Sequence, residues 1–321
     1  MKYGISIAIL SWLYFHNKGE FDEFLQTEKN YGWLALSGFT ITLAFFVSYI
    51  RWHQLAGAIR LQLSFNDAIK LGFIGSFFNV VAFGVVGGDS LRAFYASRNS
   101  PDRIPEAILS VFLDRFIGLC VMFGFAATAC LLFGPALPDD PTTAQRGIQY
   151  TCQFAGVCSM IGFAGLFAFV LMPNVKNLGI VRWFFGLPKI GGLIEQGINA
   201  ATLYSDNKLV LIKAIVLSVI TNSLFAVTIY LVAIAITDSP PPLADHFVMA
   251  PIAMVANAVP LPGGVGGMEM ALPALYRGFQ ADGGFVIALG FRLSILLVSL
   301  IGLFVWLAYR SKMPVPAESN D

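Results

Sequence analysis

"VPLPGGVGGMEMALP", residues 259–273, holds four glycines, three prolines and one carboxylate between two long apolar runs. Glycine costs a helix interior about 1 kcal/mol and proline about 3 kcal/mol relative to alanine. No straight helix is expected to run through this stretch. An earlier stretch, "FFNVVAFGVVGGDSL" at 77–91, has the same grammar: an asparagine, then a glycine pair, then a carboxylate.

The surrounding composition is that of a membrane protein. Hydrophobic residues make up 57% of the 321, charged residues 12%, and mean hydropathy is +0.72. A soluble domain carries about twice that charged share. The longest segment suited to water, residues 173–208, is too short to bury a core of its own without disulfides or metal, so no soluble catalytic domain is expected. The first residues, "MKYGISIAILSWLYF", lack a small-residue cleavage site and read as a retained span. With a net charge of +1, no nucleic-acid partner is expected. Cys120, Cys130, Cys152 and Cys158 have no CxxC spacing and read as small core residues. His16, His53 and His246 are scattered, and no nucleotide-binding or hydrolase motif is present. We therefore expect no metal, no cofactor and no catalytic residue.

Spans need about 20 mostly apolar residues. Six segments qualify: 2–17, 31–50, 113–134, 151–172, 209–236 and 284–308. Two shorter ones, 71–86 and 247–260, each run into a glycine cluster. If both crossed, basic residues would divide about 7 to 11, a weak bias. If each instead dips in and returns, through 88–98 and 264–276, one side holds Lys2, Arg51, Arg60, Lys70, Arg92, Arg98, Arg103, Lys176, Arg182, Lys189, Lys208, Lys213, Arg310 and Lys312. The other keeps Lys18, Lys29, Arg146 and Arg277. Fourteen against four is a strong positive-inside signal. The expected fold is thus an all-α polytopic membrane protein: about six spanning helices and two re-entrant helical hairpins, both termini cytoplasmic, in the cell (inner) membrane.

Each half, about 1–135 and about 150–310, would hold two spans, a hairpin and a span. Three crossings per half invert the second relative to the first, the pattern of secondary transporters. The corresponding residues are Asn79 and Asn257, Gly87-Gly88 and Gly266-Gly267, Asp89 and Glu269, then Arg115 and Arg292 on the following spans. An arginine at membrane depth costs about 3 kcal/mol on insertion scales, which calls for a partner or a polar cavity. Asp114, adjacent to Arg115, points about 100° away on a helix, so Asp89 and Glu269 are the better partners. Two readings follow: ions that fasten the hairpins to the bundle, or arginines that bind an anionic head group with the carboxylates steering. Candidate binding residues are Asn79, Asp89, Arg92, Asp114, Arg115, Asn257, Glu269 and Arg292. Gly87, Gly88, Pro260, Pro262, Gly263, Gly264, Gly266 and Gly267 are expected to shape the hairpin turns. The bases and aromatics of 174–208, Lys176, Arg182, Trp183 and Lys189 among them, suit anionic lipid at the cytoplasmic face.

"FFNVVAFGVVGGDSLRAFY", "FLDRFIGL", "PLPGGVGGMEMAL" and "FRLSILL" together resemble the lysylphosphatidylglycerol synthase transmembrane-region family, also called flippase-like. Asn79, Gly87, Gly88, Asp89 and Arg92 match its first block, and Asp114, Arg115 and Gly118 its second, with aspartate replacing glutamate. Pro260, Gly264, Gly266 and Glu269 match the third, and Arg292 the last arginine. The departures are Phe83 or Gly84 where a proline is usual, and Met268 where arginine often stands. The resemblance implies a domain that moves lipids or lipid-linked molecules between leaflets. In the best-known members it is joined to a soluble synthase, whose activity is not expected here. The expected function is a lipid or lipid-linked-intermediate translocase acting on a membrane lipid or polyprenyl-linked substrate, with a lipid-synthesis enzyme as a possible partner. The alternatives are an intramembrane transferase with Glu269 or Asp89 as base, or a non-catalytic scaffold of a lipid-synthesis complex.

Overall fold

The computed structural model describes residues 18–81, 85–98, 101–134, 142–171, 204, 207–258 and 267–309. Among them the secondary structure is helical throughout. The helices are α1 (Lys18–Gln26), α2 (Tyr31–Ala58), α3 (Phe65–Val81), α4 (Val85–Arg98), α5 (Ile104–Phe133), α6 (Thr143–Leu171), α7 (Lys208–Ile236), α8 (Leu243–Ala258), α9 (Gly267–Gly278) and α10 (Gly284–Tyr309). Five of these, α2, α5, α6, α7 and α10, contain stretches long and apolar enough to cross a membrane. The expected span at 2–17 and the segment 174–203 lie outside the described residues.

Local chemistry fixes several helix ends. Asn30 caps α2, its side-chain oxygen accepting from the backbone N–H groups of Gly32 and Trp33 at 3.1 and 3.3 Å. Ahead of α3, the Ser64 hydroxyl accepts from the Asp67 N–H at 3.1 Å and donates to the Asp67 carboxylate at 2.6 Å. Such caps satisfy N–H groups that the first helical turn leaves without partners. α5 begins with a proline in its first turn, where the missing N–H costs nothing.

α7 is the central element, and it runs antiparallel to α2. Three contacts in order establish this: the Asn30 N–H donates to the Ala235 carbonyl at 2.9 Å, Thr40 and Thr228 share a hydroxyl bond at 2.9 Å, and Arg51 donates to Ser218 at 2.7 Å. More than half of α7's apolar window is buried, against about a fifth of that of α6. On α5 and α6, large apolar side chains such as Leu131, Leu132, Phe154, Met160 and Ile161 stand exposed. A row of this size belongs against lipid.

The short helices form two antiparallel pairs. In α3–α4, Asn79 meets Gly88, and Gly75 meets both Gly88 and Arg92. In α8–α9, Gly267 lies against Ala256 while His246 bonds Tyr276. α3 packs on α10, where Phe77 and Phe78 flank Trp306 and Tyr309 donates to Asp67 at 3.3 Å. α8 packs on α5, where Phe247 meets Phe125 and Phe133.

Two expectations change in detail. Gly87 and Gly88 lie inside α4, which begins at Val85, rather than at a turn. The reason is packing: a Cβ on Gly88 would stand 2.0 Å from the Gly75 carbonyl oxygen, so glycine lets α4 lie directly on α3. α2 also runs on to Ala58, which places Arg51 inside a helix instead of in a loop. Its apolar face continues through Trp52, Leu55 and Ala56, all buried.

Candidate functional site

The buried charges gather at two places. At the first, α4 contributes Asp89 and Arg92, α5 contributes Asp114 and Arg115, and α2 contributes Arg51. Arg115 grips Asp89 with two parallel bonds, Nε to Oδ2 and Nη2 to Oδ1, both 2.7 Å. This fork geometry gives the strongest carboxylate–guanidinium contact. The Asp89 side chain is 14% exposed and that of Arg115 is 46% exposed, so the pair has an open arginine face. As the helical angle requires, Asp114 turns away from Arg115. Its Oδ1 accepts from Arg51 Nε at 2.7 Å, with both side chains buried. Arg51 also donates to Ser218 on α7, which ties three helices at one point.

Arg92 is the unusual member. Its side chain is 4% exposed, and Nη1 stands 3.5 Å from Asp89 Oδ1. Its Nε and Nη2 are buried with no hydrogen-bond partner. The guanidinium lies over the Trp52 ring at 4.5 Å and near the Tyr49 ring at 5.4 Å, and such contacts offset part of the desolvation cost. Tyr49 in turn shares a hydroxyl bond with Ser76 on α3. Three arginines against two aspartates leave this cluster with a formal charge of +1.

The second place repeats the fork. Arg292 on α10 donates from Nε to Glu269 Oε1 at 2.8 Å and from Nη2 to Oε2 at 3.1 Å. Nη2 also donates to the Asn257 side chain on α8 at 3.0 Å. The side chains of Glu269 and Arg292 are 1% and 19% exposed. Gly267, the first residue of α9, allows this approach: a Cβ there would stand 2.1 Å from the Ala256 carbonyl oxygen. Asn79, the counterpart of Asn257, does different work, accepting from the Gly88 N–H at 2.8 Å and so fastening α4 to α3.

Asp89 with Arg115, and Glu269 with Arg292, are thus brought together as the spacing suggests. Pro260, Pro262, Gly263, Gly264 and Gly266 lie outside the described residues. Arg51, Ser218, Tyr49 and Trp52 are additions that the sequence did not single out as site residues. Only the unbroken apolar face of α2 past residue 50 hinted that Arg51 lies inside the bundle. Two cavities, about 400 and 460 Å³, lie elsewhere. One opens beside Thr237, Asp245 and Asp282, the other between α5 and α6 beside Cys130, Gln145 and Cys152. Among the described residues, no group of His, Cys, Asp and Glu could hold a metal ion.

Long apolar helices that face lipid outward and bring paired charges together inside define an integral, polytopic membrane protein whose polar interior is built on helix pairs. The chain belongs to the family described as Lysylphosphatidylglycerol synthase TM region, which matches residues 1–302. No curated protein and no solved structure matches it.

Proposed function

We propose that the protein moves a lipid or lipid-linked intermediate between leaflets, engaging its anionic head group through membrane-embedded arginines. One observation carries this reading: Arg115, on a long apolar helix, is held in a carboxylate fork and still has a side chain 46% exposed. A guanidinium costs several kcal/mol to keep at membrane depth, and its open donors suit a phosphate-type oxyanion. Acyl chains would remain in lipid while the head group passes through a polar cavity between the two clusters.

In this proposal α3–α4 and α8–α9 are re-entrant hairpins inserted from opposite faces, and the two halves form an inverted repeat. Its support is reciprocal packing. The first pair rests on the last span of the second half, and the second pair rests on the last span of the first half. α2 and α7, which occupy corresponding places, lie antiparallel to each other. Rocking about such an axis gives alternating access. Arg51 and Arg92 are buried, so the count behind cytoplasmic termini falls from fourteen to twelve, against four, and keeps its sign. The inner membrane is the proposed location and a lipid-synthesis enzyme the proposed partner. A transferase needs a carboxylate free to take a proton. Asp89 and Glu269 each accept two guanidinium bonds, which weighs against that role.

The test is head-group exchange between leaflets in reconstituted vesicles. The wild type should accelerate it, and Arg115→Gln should slow it about tenfold or more, the factor for a lost charge-assisted bond. Equal rates would remove Arg115 from the pathway.

A further inference from the structure

We propose that Asp89 is an internal stand-in for the ligand's anionic group: the ligand takes its place on the Arg115 fork, and Asp89 moves to the free nitrogens of Arg92. This rests on the head-group reading above and names how that site is gated.

Three observations converge on it. Asp89 lies between two guanidiniums and uses one of them fully, with both oxygens at 2.7 Å from Arg115. The other, Arg92, is three residues further along the same helix, with Nη1 already 3.5 Å from Asp89 Oδ1. Its Nε and Nη2 have no acceptor although they are buried. A buried donor without a partner is an unfavourable state that an incoming acceptor relieves. Asp89 already stands 3.5 Å from one nitrogen of this guanidinium, on the same helix. Exposure fits the same division of labour. Arg115 is open enough to meet a ligand, whereas the Arg92 side chain, 4% exposed and covered by Trp52 and Tyr49, can be reached by a residue already inside.

Charge sets the class of ligand. Arg51, Arg92 and Arg115 against Asp89 and Asp114 leave +1, which one added negative charge neutralises. A monoanionic oxyanion such as a phosphodiester balances the cluster, and a diphosphate overshoots it. The Glu269–Arg292 fork has no such surplus. Arg292 is less exposed, and its Nη2 is shared between Glu269 and Asn257.

The experiment measures saturable binding to the full-length protein in neutral detergent. The probes are dihexanoyl phosphatidylmethanol, a lipid phosphodiester, and inorganic phosphate, so that a head group and a free anion are told apart. Wild type should bind the phosphodiester, and Arg115→Gln should weaken it about tenfold. Asp89→Asn, which removes the competitor's charge, should tighten binding several-fold. Arg92→Gln, which removes the parking place, should weaken it several-fold. Arg92→Gln should weaken binding much less in the Asp89→Asn background than in the wild type, because the part of its effect that runs through Asp89 is then already gone. Asp89→Ser serves in the same scheme if Asp89→Asn does not yield monodisperse protein. Arg115-dependent binding that Asp89→Asn fails to tighten overturns the exchange and leaves the head-group reading standing. Equal weakening by Arg92→Gln in both backgrounds overturns the exchange in the same way. Binding of inorganic phosphate alone overturns a lipid ligand, and no Arg115-dependent binding of either probe overturns both readings.

Discussion

Arg51 Nε donates to Asp114 Oδ1 at 2.7 Å, with side chains 6% and 1% exposed. The pair joins α2 to α5 across 63 residues of sequence. Charges so enclosed are favourable only while both are present, since each repays the other's loss of water.

Arg51→Met should therefore destabilise the protein by about 3–5 kcal/mol, the cost of leaving a buried charge alone. Adding Asp114→Leu should restore most of the loss. Thermal unfolding in detergent, followed across the two single variants and the double, checks this.

Gly88→Ala should cost about 1–3 kcal/mol, the usual range for forcing atoms into a filled contact, because its Cβ would stand 2.0 Å from the Gly75 carbonyl oxygen. Gly147→Ala is the control. A Cβ at Gly147 meets nothing within 4 Å, so alanine there should leave the unfolding midpoint unchanged or raise it.

Arg292→Lys keeps the charge and loses the fork. A single ammonium cannot bond both Glu269 oxygens and Asn257 in the present geometry. The expected loss is about 1.5–3 kcal/mol, typical of one hydrogen bond to a charged group, with a matching fall in exchange rate. Unfolding and vesicle exchange measured on the same preparation test it.

His246 and Tyr276 are both fully buried, and the His246 Nε2 is 2.7 Å from the tyrosine hydroxyl. Tyr276→Phe leaves that nitrogen without its partner, and about 1–3 kcal/mol of stability should be lost. An unchanged melting profile would mean that the bond is not needed to hold α8 to α9.

Membrane sidedness tests the re-entrant proposal. In a background with the four native cysteines replaced, Ser64→Cys and Asp102→Cys flank α3–α4, and Ser239→Cys and Asp282→Cys flank α8–α9. An impermeant thiol reagent should reach the last two in intact cells and the first two only after permeabilisation. Flanks that label from opposite faces would make the pairs simple crossings.

Membrane class, the five long apolar helices among the described residues and the family are all written in the chain itself. Each rests on composition or on short ordered motifs, which are local properties. The pairing of Asp89 with Arg115 and of Glu269 with Arg292 was also legible, because the same spacing recurs and an intramembrane arginine needs a carboxylate. Packing alone settled that Arg51 holds Asp114, that Gly87 and Gly88 lie within α4, and that Arg92 is buried with two free donors. Hydropathy records how apolar a stretch is, but the surroundings of a charge depend on which helices close over it. Along the chain Arg51 counted as a loop charge and Arg92 as a cytoplasmic-side charge on a hairpin limb, and both became interior ones when α2, α4 and α5 packed together.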